Sequence, residues 1–208
     1  MNSRRNSIRT LRTTDLVHYK VVLLGASNTG KTSIIQRLVF HRFNQEVMPT
    51  LGAGLSTYDI TINDRIISLD LWDTAGQESY RSLAKIYYHD TQAAIIVYDV
   101  TSIETFYEIK YWLNELKSSE NSTHVLAIVG NKVDRADERV VTPELARAFA
   151  NDHNAFYYET SALTGEGVTA LFKKISLELM SKFHHRKEVN GIEVTQQNTD
   201  KKNFECCF

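Results

Sequence analysis

Eight consecutive residues constrain this chain more than any others: Gly25-Ala26-Ser27-Asn28-Thr29-Gly30-Lys31-Thr32. They directly follow the apolar, strand-like stretch Lys20–Leu24 and lead into Ile34, Ile35, Leu38 and Val39, which fall on one face of a helix. A turn of small residues between a strand and a helix lets successive backbone N–H groups wrap an anion, and the helix points its positive end at it. The spacing G-x-x-x-x-G-K-[ST] adds Lys31 for the β- and γ-phosphates and the Thr32 hydroxyl for Mg²⁺. These residues therefore predict a nucleotide-phosphate site, while leaving kinase, ATPase and GTPase chemistry open.

The rest of the chain supplies a matching frame. Further candidate strands are Leu55–Ile62, Ile66–Trp72, Ala93–Tyr98, Val125–Val129 and Phe156–Glu159, with helical stripes between and after them. Phe106, Ile109, Leu113 and Leu116 form one such stripe, and Val168, Leu171, Phe172, Ile175 and Leu179 form the last. Thr101 and Glu104 fit a capping box, and Thr142-Pro143 an N-cap followed by proline at the first helical position. Strands alternating with helices predict an α/β domain with a mostly parallel sheet covered on both faces. Only the strands 55–62 and 66–72 should pair antiparallel, because just Asn63-Asp64-Arg65 separates them.

At 208 residues and 42% hydrophobic the chain can bury one substantial core. The predicted layout is a flexible basic arm over 1–17, one globular domain over 18–181 and a polar, flexible tail over 182–208. Charge is uneven: residues 1–20 carry five Lys/Arg against one Asp, whereas residues 21–181 carry fourteen against twenty. An acidic body argues against a general nucleic-acid binder. No apolar stretch is long enough to cross a bilayer, so the body is expected to be soluble unless something is attached to it. Both cysteines, Cys206 and Cys207, lie at the end, so the body has no disulfide framework and suits a reducing compartment.

Two further motifs narrow the chemistry. Asp73-Thr74-Ala75-Gly76-Gln77 follows a strand, placing a carboxylate beside the expected Mg²⁺. Asn131-Lys132-Val133-Asp134 follows the strand 125–129, and a short carboxylate there can accept from guanine N1–H and the exocyclic amine. Adenine offers no such paired donors, so an aspartate there favours guanine. Glu159-Thr160-Ser161-Ala162 closes the set. Together GASNTGKT, DTAGQ, NKVD and ETSA, in this order and over residues 18–181, resemble the Ras superfamily of small GTPases. Trp72, Tyr87-Tyr88 and the stretch Ser82-Leu83-Ala84 resemble the Rab branch, and most of all its early-endosomal subgroup.

The resemblance implies a P-loop NTPase G domain: six strands, one of them an antiparallel edge strand. It implies a slow GTPase that uses Mg²⁺ and cycles between GTP and GDP. Gly25, Ser27, Asn28, Thr29, Gly30, Lys31, Thr32 and Ser33 would hold the phosphates. Thr32, Thr50 and Asp73 would hold Mg²⁺, and the Gly76 N–H would meet the γ-phosphate. Gln77 would orient the attacking water, with Lys31 and Thr50 completing the catalytic set. Phe43 would stack on the base, Asn131 brace it, Lys132 lie along it and Asp134 read it. Ala162 would offer its N–H to guanine O6, flanked by Ser161 and Leu163. With no arginine built into the phosphate site, intrinsic hydrolysis would run on the order of 10⁻⁴ per second until a GTPase-activating protein supplies charge in trans.

On the same grounds Leu55, Trp72 and Tyr87 would contact effectors, and Cys206 and Cys207 would each take a geranylgeranyl group. Two lipid chains anchor firmly where one is marginal. The implied partners are an exchange factor, a GTPase-activating protein, a GDP-dissociation inhibitor, Rab escort protein and effectors, around a monomer that binds no nucleic acid. The implied place is the cytoplasmic face of endomembranes, the early endosome, with a cytosolic GDP-bound pool. A recycling or secretory Rab, or a GTP-binding scaffold with negligible hydrolysis, are the alternatives. Several positions depart from the family pattern: Leu163 for lysine, Val47 for an aromatic, Leu51–Leu55, and Tyr88-His89-Asp90 in place of arginine-glycine.

Overall fold

A computed structural model of the chain describes residues 17–46, 48–77, 86–118 and 125–189, with side chains as far as Phe183. The order of elements is β1 (Val17–Leu24), α1 (Lys31–Phe40), β2 (Ala53–Ile62), β3 (Arg65–Thr74), β4 (Ala93–Asp99) and α2 (Ile103–Tyr107). Then come α3 (Ile109–Ser118), β5 (Val125–Asn131), a 3₁₀ turn (Ala136–Glu138), α4 (Pro143–Asp152), β6 (Phe156–Thr160) and α5 (Val168–Val189). The six strands form one sheet in the order β2-β3-β1-β4-β5-β6. Every pairing is parallel except β2–β3, as the spacing predicted, and β2 is an edge strand, as the resemblance implied.

The β2–β3 turn is two residues, since Ile62 pairs with Arg65. Asn63 and Asp64 sit at φ 50° and 61°. A two-residue hairpin with positive φ at both positions matches the twist of its strands, and Asn and Asp tolerate that conformation.

Alternation along each strand builds two cores. Val21, Leu23, Ile95, Val97 and Ala127 face Ile34 and Leu38 of α1 and Leu171, Phe172 and Ile175 of α5. Val22, Leu24, Ile96 and Ile128 face Ile109, Trp112 and Leu113 of α3 and Ala146 and Ala150 of α4. Thr142 caps α4 as expected, accepting from Leu145 N–H, with Pro143 at the first position.

Three sequence expectations are corrected. The cap of the 103–107 helix is Ser102, which accepts from Thr105 N–H, not Thr101. Thr101 is taken by Asp99 Oδ1, which accepts from its N–H at 2.9 Å and its hydroxyl at 2.8 Å. The stripe from Phe106 to Leu116 belongs to two helices that meet at Glu108. The last helix does not end near 181 but runs to Val189; Phe183 extends the stripe one turn past Leu179, and its ring lies 5.5 Å from that of Tyr19. No described helix is long and apolar enough to cross a membrane. Residues 1–16 and 190–208, with Cys206 and Cys207, lie outside the described residues, as do Val47 and 78–85.

Candidate functional site

Parallel pairing brings the C-terminal ends of β1, β3, β5 and β6 to one edge of the sheet, and the predicted motifs begin where those strands stop. At the end of β1 the chain turns through Gly25 (φ 135°), Asn28 (φ 62°) and Gly30 (φ 92°) before α1 starts at Lys31. No side chain caps α1 and its first turn carries no acid, so its leading N–H groups face a site suited to an anion. A Cβ on Gly30 would stand 2.3 Å from Asn131 Nδ2, so only glycine allows the loop to approach β5 this closely.

A cavity of about 250 Å³ opens here, lined by Ser27, Asn28, Gly30, Lys31, Thr32, Ser33, Thr50 and Gly76 among others. Lys31 is 5% exposed, and its ammonium donates to the Gly25 and Ala26 carbonyls, both at 2.8 Å. Burial pulls its pKa down to about 8, against the pull of the Asp73 carboxylate. Gly76 must be glycine, since a Cβ would fall 2.5 Å from Ala26 O and 2.6 Å from Lys31 Nζ. Gln77 is half-buried and does not line this cavity.

The three predicted Mg²⁺ ligands come together from three elements. Thr32 Oγ1 donates to Asp73 Oδ2 at 2.6 Å, Thr50 Oγ1 lies 3.0 Å from Thr32 Oγ1, and Thr50 also reaches Asp73 Oδ2 at 3.5 Å. Asp73 Oδ1 is buried with no hydrogen-bond partner, and burial raises the carboxyl's pKa despite the Thr32 bond and the Lys31 charge. A buried, incompletely satisfied carboxylate beside two hydroxyls fits a hard cation with oxygen ligands that shares phosphate oxygens with a nucleotide.

A second cavity of about 300 Å³ adjoins the first, lined by Phe43, Asn131, Lys132, Asp134, Ala162 and Leu163 with Asn28, Gly30 and Ser33. Asn131 ties its walls together. Its Nδ2 donates to Thr29 O at 2.8 Å, and its Oδ1 accepts from Thr160 Oγ1 at 3.1 Å and Ala162 N–H at 3.2 Å. The Ala162 N–H assigned to guanine O6 is therefore engaged by Asn131 in this structure. Ser161 Oγ donates to Asp134 Oδ1 and accepts from Thr164 N–H at 3.0 Å. Leu163 is 44% exposed over the cavity.

Two residues that sequence reasoning passed over help to set this pocket. Asp99, at the end of β4, pairs with Lys132 Nζ at 2.7 Å. Burial opposes its ionisation, but bonds from Lys132 and Thr101 more than offset it and hold the carboxyl below its usual value. Arg37 of α1 donates from Nε to Ala162 O at 2.8 Å and from one terminal nitrogen to Leu163 O. Its motif-free position gives no signal in sequence, since its partners lie 125 residues away.

The predicted effector residues also meet. Leu55 pairs across the strands with Trp72, whose ring lies 5.6 Å from that of Tyr87. Leu55 is 56% exposed, and the Lys20 ammonium sits 5.2 Å from the Trp72 ring. Next to them, Asp90 holds φ 55°, which accounts for the glycine usual at this place. Tyr88 is buried, and its hydroxyl donates to Glu115 at 2.8 Å.

Comparison with known proteins agrees with this geometry. The sequence model of the Ras family matches residues 20–181. The Ras-related protein RHN1 of Nicotiana plumbaginifolia is 42% identical over 160 residues, 77% of this chain and 80% of that protein. The chain belongs to the Ras family: it is a small GTPase of the Ras/Rab type, which binds GTP and GDP with Mg²⁺ and hydrolyses GTP.

Proposed function

We propose that this GTPase is a Rab-type switch of endocytic vesicle traffic, acting on the cytoplasmic face of early endosomes. The observation that carries the switch is the contact of Thr50 with Thr32 and Asp73, because it ties the loop 41–52 to the cation and phosphate position. Within this reading a bound γ-phosphate would add to that tie, and its loss would loosen the loop. Thr32, Thr50 and Asp73 would hold Mg²⁺, and Lys31 would neutralise charge on the transferred group. Gln77 aligns the water, and the two cavities seat phosphate and guanine. Mg²⁺, when bound, would supply further charge neutralisation to the phosphates.

The clustered Leu55, Trp72 and Tyr87 support an effector surface beside that loop. Recruitment to membranes rests on Cys206 and Cys207, each taking a geranylgeranyl group with the help of Rab escort protein. An exchange factor, a GTPase-activating protein and a GDP-dissociation inhibitor would drive the cycle. Single-turnover hydrolysis of GTP, with ATP as control, tests the catalytic part. Gln77→Leu is expected to lower the GTP rate by about tenfold or more with nucleotide affinity kept. Equal rates in the two proteins would remove Gln77 from the chemistry. A tagged full-length chain tests the compartment, and its accumulation on recycling or secretory membranes would overturn the early-endosomal assignment.

A further inference from the structure

Arg37 lies outside every motif, yet among the described residues its guanidinium meets main-chain carbonyls alone. Nε donates to Ala162 O at 2.8 Å, one terminal nitrogen to Leu163 O, and the other to His41 O at 3.4 Å. Its stem passes beneath the turn that follows, where a Cβ on Gly165 would lie 3.5 Å from Arg37 Cδ. From these contacts we infer that Arg37 is a positioning residue for base recognition, holding the loop 161–165 in the conformation that aims Asp134.

The chain has no cis peptides among the described residues, and in a trans peptide the carbonyl and the following N–H point in opposite directions. Fixing Ala162 O and Leu163 O on the guanidinium therefore turns the Leu163 and Thr164 N–H groups away from it. The Thr164 N–H donates to Ser161 Oγ at 3.0 Å, and that hydroxyl in turn donates to Asp134 Oδ1. One Asp134 oxygen is thus held from the loop, leaving the other to the cavity. Asp134 is the residue expected to read the guanine N1–H and amine, so the loop's position becomes a term in base selectivity. A guanidinium suits the task because its planar fork fixes the directions of the two bonds, whereas an ammonium is a rotatable point donor on a flexible stem. The inference rests on the reading of Asn131–Asp134 and Ala162 as the guanine site.

The test compares release of GDP with release of IDP, which lacks the exocyclic amine, from the full chain, Arg37→Met and Arg37→Lys. Methionine keeps the apolar stem near Gly165 and removes the donors. Arg37→Met is expected to release GDP roughly tenfold faster and IDP less than about threefold faster, the size expected for losing charge-assisted bonds. Arg37→Lys should fall between, and single-turnover hydrolysis of bound GTP should stay within about twofold, since Lys31, Thr50 and Gln77 are untouched. Amide hydrogen exchange over 161–165 should quicken in Arg37→Met while exchange in β4 is unchanged, which separates loop release from general unfolding. GDP and IDP leaving faster by equal factors, or no change in either, would overturn the inference. If the unaltered chain held ADP as tightly as GDP, the guanine-site reading itself would fail, whatever Arg37 does.

Discussion

Lys31 shows how one residue can be ill-suited to the protein alone and well-suited to its ligand. Its ammonium is buried against two carbonyls, and burial lowers its pKa to about 8. Between about pH 8 and its ordinary 10.5 the unfolded chain binds more protons than the folded one, so nucleotide-free protein gains stability as pH rises through that window. Phosphate oxygens would restore the charged form. Binding of GDP at pH 8 is therefore expected to take up about half a proton. Calorimetry in two buffers of different ionisation enthalpy reads this number, and Lys31→Met should abolish it. The Asp99–Lys132 pair works in the opposite sense: its stabilisation is present above the usual aspartate range and is lost as pH falls through the lowered folded pKa.

Among the elements, the β2–β3 hairpin is where local chemistry decides most. Asn63 and Asp64 hold positive φ, and the register they set pairs Leu55 with Trp72 and Gly54 with Asp73. A β-branched residue resists that backbone, so Asn63→Val should destabilise the fold by about 1–2 kcal/mol in urea unfolding of the GDP-bound protein. A one-residue slip would turn Leu55 to the opposite face of the sheet and remove the exposed aromatic-aliphatic cluster. α1 contributes in another way. Its buried face (Ile34, Ile35, Leu38) seats it on the sheet, and this directs its N-terminus at the phosphate cavity and Arg37 at the base loop.

For the molecule as a whole, a bound nucleotide would span parts that are otherwise joined by a few side-chain bonds and by the Ala75 N–H to Gly52 O bond. The phosphate loop reaches β5 through the Asn131–Thr29 bond, and the switch loop reaches β3 through Thr50 and Asp73. Stripping Mg²⁺ with EDTA and degrading the nucleotide should lower the thermal midpoint, and GDP at a hundred times its Kd should restore about 2.7 kcal/mol. Scanning calorimetry checks both, and a midpoint indifferent to nucleotide would mean that GDP does not bind the folded chain selectively.

The alternation of strands and helices, the antiparallel pairing of 55–62 with 66–72, the phosphate loop and the guanine motif are all legible in the chain, because each depends on residues close together in sequence; that the turn is two residues and not three was set by the pairing of Ile62 with Arg65. Spacing alone predicts a strand, a turn or an anion-binding helix start, since backbone geometry over a few residues obeys local sterics and hydrogen bonding. The shift of the helix cap from Thr101 to Ser102 was not legible, as two hydroxyls competed and the Asp99 carboxylate decided between them. Nor was the continuation of α5 past 181, where Phe183 meets Tyr19 across the fold. Arg37 and Asp99 carry no motif, and only the parallel sheet, by gathering strand ends from distant parts of the chain, placed them against the base pocket. Short-range rules wrote the elements and their chemistry; contacts between residues tens of positions apart, set by core packing, decided which side chains would stand behind that chemistry.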